Sequence, residues 1–166
     1  LLEWAIKLLQ DVTASGGEYD QLLAGRSGST AADLDAALYH TLDALTLLLN
    51  PDTGGHGEAV ERHLKRAVAD LMHVLSSVDA ETEGEVIALV NSLLEAGRNV
   101  AMYYILESGM ACGTCLETGG ADLCNAESSL AQGDAAWQES PPNYMLAITK
   151  YGVAISQAVR AGQECY

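Results

Sequence analysis

Cys112-Gly113-Thr114-Cys115 is the stretch whose residue types and spacing could most directly carry chemistry. A C-x-x-C pair supplies a redox thiolate when it opens a helix beside a βαβ unit, because a helix amino end stabilises negative charge. Here the pair follows an apolar helical stretch, at a carboxyl end where the macrodipole disfavours a thiolate. Redox catalysis is not expected. Cys124 and Cys165 complete a set of four cysteines in the last third of the chain. Four thiolates could hold zinc, but such sites usually combine two C-x-x-C knuckles and this sequence has one. An even count in a glycine-rich region fits disulfides, and with them an oxidising, secreted or cell-surface setting. The preferred pairing is Cys115 with Cys124, stapling the loop internally, and Cys112 with Cys165, pinning the last helix; the two other pairings stay open.

Histidines and carboxylates offer the next chemistry. Asp70 and His73 stand three residues apart and His63 seven before Asp70, which groups them on one side of a helix. They lie at the flank of its apolar stripe beside Arg66, and no second helix carries a carboxylate-x-x-His pattern; His40 and Asp43 have the reverse order. No metal and no cofactor are therefore expected. His63, Asp70 and His73 are ligands only in an alternative reading of the chain as a small-ligand or metal-binding bundle. Tyr103, Tyr104 and Trp137 could line an aromatic pocket, but aromatics at helical spacing belong first to a core. There is no G-x-S-x-G elbow and no G-x-x-x-x-G-K-[ST] loop, and Gly16-Gly17, Gly54-Gly55 and Gly119-Gly120 read as turns. The chain is not expected to be an enzyme.

Acidic residues outnumber basic ones 23 to 8 across 166 residues, a formal charge of −15 that repels nucleic acid and anionic membrane surfaces. Apolar runs such as Leu47-Leu48-Leu49 are far too short to span a bilayer, and the length fits a single domain, residues 1–166. With Leu at position 1 and no leader pattern, the sequence is expected to be a processed or excised piece of a longer polypeptide.

The elements that must position these residues are helical. Leu1, Leu2, Trp4, Ile6, Leu8 and Leu9 begin a first helix that fades at Ser15-Gly16-Gly17 and resumes over Tyr19 to Leu23. Thr30 with Asp33 signals the start of a helix that runs to Leu49 before Asn50-Pro51. Val60, Leu64, Ala67, Val68, Leu71, Val74, Leu75 and Val78 form one stripe of the next. Thr82 and Glu85 form a capping box for a central helix ended by Gly109. No strand-length alternation occurs. The expected fold is all-α, an irregular bundle of five to six helices: a bundle over 1–109, a disulfide-stapled Cys/Gly-rich loop over 110–125 and a helical hairpin over 126–166.

In the hairpin, Leu130, Gly133, Trp137, Tyr144, Ala147, Tyr151 and Ala154 alternate small and large side chains on two facing helices. Leu130-Ala-Gln-Gly-Asp-Ala-Ala-Trp137 followed by Tyr144-Met-Leu-Ala-Ile-Thr-Lys-Tyr151-Gly-Val-Ala154 resembles a degenerate tetratricopeptide-repeat hairpin. It is similar to hairpins that close the carboxyl end of helical domains in secreted prokaryotic surface proteins, which implies a structural or docking role. Pro141-Pro142 disturbs the spacing and no second copy follows at the repeat period, so a repeat array is not implied. Together these readings predict a non-catalytic structural or protein-interaction module. Its partner is a protein, or a second copy, held through an apolar helix face, with Leu1, Leu2, Trp4, Ile6, Leu8 and Leu9 as the expected contact.

Overall fold

The structure, a computed structural model, describes residues 1–50, 56–113 and 121–164, without the side chain of residue 112. Helices α1 (Leu2–Thr13), α2 (Glu18–Leu23), α3 (Gly28–Leu49), α4 (Gly57–Leu75), α5 (Ala80–Cys112), α6 (Ala121–Trp137) and α7 (Tyr144–Glu164) follow one another, with no strand among the described residues. The all-α reading holds.

The core is organised around α5. Val86, Leu89, Val90, Leu93, Leu94, Ala96, Val100 and Ala101 are fully buried on it, so apolar side chains leave in several directions and other helices must cover each. α1, α2, α4, α6 and α7 all pack on α5. Helix α4 shows the opposite pattern, a single apolar face: Val60, Leu64, Ala67, Val68, Leu71 and Val74 are buried, while Leu75 and Val78 are only half-buried at its end. α3 lies one layer further out, against α4, α1 and α2. Tyr19 ties α2 to it through a 2.7 Å hydrogen bond with Thr41, whose hydroxyl also reaches the Ala37 carbonyl.

Three local expectations change. α3 begins at Gly28 after Ser27, with no side-chain cap, and Thr30 lies inside the first turn with its hydroxyl against Ser77. α5 is capped by Asp79, whose carboxylate accepts the Thr82 amide at 2.9 Å, so Thr82 is the recipient of the cap and not its source. That bond from the Thr82 amide holds the Asp79 carboxyl below its ordinary range. Gly109 does not end α5, which continues to Cys112; Gly113, with φ at +81°, ends it. A glycine inside a long helix costs too little to stop one anchored by packing.

α6 and α7 form the expected hairpin. Ala147, Tyr151 and Ala154 are buried, Leu130, Trp137 and Tyr144 pack partly against the core, and Gly133 sits under the Tyr151 ring. A β-carbon at Gly133 would lie 2.5 Å from Tyr151 Cε1 and 3.2 Å from the Ala147 carbonyl oxygen. Gly133→Ala is expected to cost about 1–3 kcal/mol by overpacking. At exposed Gly84, where an added β-carbon meets nothing within 4 Å, alanine should stabilise α5 by about 0.5–1 kcal/mol. Urea midpoints of the two variants check the pair, and equal, small shifts would show that the ring does not seat on Gly133.

Candidate functional site

His63 turns away from Asp70 and His73. It points from α4 toward α3, where His40 and Asp43, three residues apart on one helix face, meet it. His40 Nδ1 lies 3.3 Å from His63 Nδ1, and Asp43 Oδ2 lies 3.5 Å from the same nitrogen. The two rings stand 5.5 Å apart at 47°, and Tyr39 meets the His40 ring edge-on at 5.5 Å. All three ligand groups are half-buried, leaving a path from solvent. Burial pushes the His63 imidazole below its ordinary value, with Asp43 opposing that shift and His40 adding to it. Asp70 stays close enough for its charge to couple to His40, and burial raises its carboxyl above the usual range. His73 is exposed. The sequence grouping of His63, Asp70 and His73 is thus corrected, because seven residues along a helix separate groups by about 10 Å. Among the described residues, His40, Asp43 and His63 are the set whose donor atoms could converge on one cation.

A second polar network joins α5 to the hairpin. Arg98 Nε donates to Asp134 Oδ1 at 2.7 Å and its terminal nitrogen to Oδ2 at 2.9 Å, while the Tyr151 hydroxyl donates to Asp134 at 2.8 Å. Burial opposes ionisation of Asp134, but the bonds from Arg98 and Tyr151 and the guanidinium charge outweigh it and hold the carboxyl below its ordinary value. Trp137 donates to Asn91 at 2.9 Å and borders an open cleft of about 320 Å³ with Glu95, Arg98, Asn99, Asp134 and Gln138. Tyr103 and Tyr104 pair with each other, ring centroids 5.4 Å apart, and neither lines the cleft that Trp137 borders.

A depressed carboxyl stabilises the fold above its unfolded value and loses that contribution as pH falls through its folded value. Wild-type stability should therefore decline as pH drops below about 4. Asp134→Asn should cost on the order of 1–3 kcal/mol at neutral pH and show a shallower acid decline. Urea titrations from about pH 7 to pH 2 measure both, and parallel profiles would remove Asp134 from the account.

Of the four cysteines, Cys124 near the start of α6 is disulfide-bonded. The side chains of Cys112, Cys115 and Cys165 lie outside the described residues, and with them both expected pairings. The first helix is placed differently from the expectation that it forms a contact surface. Leu9 is fully buried, Leu2, Ile6 and Leu8 pack against the core, and Trp4 Nε1 donates to Glu95 at 3.0 Å. Leu1 and Trp4 keep about half their surface exposed, at 43% and 51%. α1 is chiefly a structural helix.

A further exposed apolar face is on α3. Ala32, Asp35, Tyr39, Leu42, Thr46 and Leu49 step by three and four along its outer side and are all exposed, Tyr39 at 61% and Leu49 at 52%. Any helix has an outer face with this spacing; this one carries three large apolar side chains, at 39, 42 and 49, where the end of α5 exposes two, Leu106 and Met110. The stripe was hidden in the sequence because Leu47-Leu48-Leu49 and Leu42 look like core until the single packed side of α3 is known.

Among the described residues no helix is long and apolar enough to cross a membrane. Comparisons with protein families, with characterised proteins and with solved structures gave no match.

Proposed function

We propose that the chain is a non-catalytic protein-interaction module of a secreted or cell-surface protein, and that it docks an apolar helix of a partner along the outer face of α3. The observation that carries this reading is the stripe of Tyr39, Leu42 and Leu49, apolar side chains left in water on a helix whose other side is fully used. Steps of three and four are what a second helix needs to lay side chains between them. Asp35 stands on the same exposed line and α3 carries no Lys or Arg, so the complementary partner is an amphipathic helix with basic edges. Self-pairing of two acidic faces is disfavoured by the same charges.

The disulfide at Cys124 supports an oxidising compartment. Within this proposal Cys115 pairs with Cys124 and Cys112 with Cys165, and the α6–α7 hairpin, with its likeness to a single tetratricopeptide hairpin, provides a rigid framework for α3 instead of a peptide groove. Peptide mapping of unreduced protein tests the connectivity: linked fragments 112–165 and 115–124 are expected, and free thiols in freshly purified material would remove the compartment assignment.

Docking is tested with a photo-crosslinking residue at Leu42, compared with one at exposed Glu83 on α5. In the producing cells position 42 should give one dominant protein adduct, which Tyr39→Ser together with Leu49→Ser abolishes while circular dichroism stays unchanged. The same diffuse labelling at both positions would refute the α3 face as a docking surface, and an adduct of twice the chain mass would show a second copy as the occupant.

A further inference from the structure

We infer that His40, Asp43 and His63 form a binding site for a zinc-class divalent cation that joins α3 to α4. Zinc sits about 2.0–2.1 Å from imidazole nitrogen and about 2.0–2.2 Å from carboxylate oxygen, so two donors at a tetrahedral angle stand about 3.3 to 3.4 Å apart. The separations from His63 Nδ1, 3.3 Å to His40 Nδ1 and 3.5 Å to Asp43 Oδ2, match that bite with side-chain adjustments of a few tenths of an ångström or less.

Proton chemistry alone serves the cluster poorly. His63 Nδ1 carries at most one hydrogen yet faces both a histidine nitrogen and a carboxylate oxygen. Its one hydrogen goes to Asp43, goes to His40 Nδ1 or is shared between them, so at most one of the two contacts is a full hydrogen bond. A cation accepts all three lone pairs at once. Two imidazoles and one carboxylate, without thiolate, form a borderline-hard donor set for which tetrahedral zinc is a natural occupant. Three protein ligands leave a fourth position for water or for a group on a bound partner.

The site is distinct from the cysteines, and it joins two helices that pack on one another, with Leu45 of α3 and Leu64 of α4 both buried. A bound cation therefore raises the cost of separating α3 from α4. The proposal does not rest on docking along α3: the ligands lie between α3 and α4, while the stripe faces solvent and meets the site only through Tyr39 beside His40.

The test uses the full, unreduced chain, stripped of metal by chelation and titrated with cobalt(II) and with zinc(II). One equivalent of cobalt should give visible d–d absorption of tetrahedral intensity without sulfur charge-transfer bands, zinc should displace it, and the melting temperature should rise with zinc. His63→Ala should weaken zinc affinity by more than about tenfold and remove the thermal shift, whereas His73→Ala should bind as wild type. Asp43→Asn keeps the shape of its side chain and covers the case in which His63→Ala does not fold; it should also weaken binding more than tenfold. Absence of one-equivalent binding, sulfur charge-transfer bands, or wild-type affinity in both ligand variants would overturn the assignment.

Discussion

The packing of α5 is the constraint on which the remaining structure depends. A helix of 33 residues is about 50 Å long, and its buried side chains leave in several directions, so no single neighbour can shield them. Five helices are drawn onto it, and α3 is left to pack on α4, α1 and α2. The outward position of α3 explains two features at once. Among the described residues none covers its outer stripe, and its inner flank meets α4 at an edge shallow enough for polar groups such as His40, Asp43 and His63 to stay half in water.

Polar contacts then select among the arrangements that apolar burial would permit. The Arg98 fork on Asp134 requires α6 to present that carboxylate at one height along α5, and the Tyr151 hydroxyl fixes α7 to the same oxygen. Gly133 lets the Tyr151 ring come close enough to make that bond. One turn of slippage in either helix would strand a guanidinium and a carboxylate in a partly dry interface, which is the kind of penalty that defines a unique register.

Much of the bundle was legible in the sequence, because the α4 stripe, the α5 apolar surround and the small-large alternation of the hairpin are local periodicities that tertiary packing reinforces. Helix ends were less so. Thr30 and Thr82 have the right chemistry for caps, but α3 already begins at Gly28, Asp79 starts α5 by accepting the amide of Thr82 itself, and Gly109 is overridden by the packing of α5. The candidate cation site was not legible at all: His40 and His63 are 23 residues apart on different helices, and only the rotation of α3 against α4 decides that they meet. The division of α1 between exposed Leu1 and Trp4 and core-facing Leu9 was hidden for a related reason. An amphipathic helix looks the same whether its apolar side faces a partner or its own core.

The side-chain bond between Trp4 and Glu95 spans 91 residues of chain. During synthesis at about 5–20 residues per second, α1 has no α5 to rest on for roughly 5–20 seconds after it leaves the ribosome. For that interval the apolar side of α1 has only α2 and α3 for cover, in a nascent chain whose negative charge repels its neighbours. The surplus of carboxylates would then serve the unfinished polypeptide as much as the finished one, holding copies on a polysome apart until the central helix arrives to gather them.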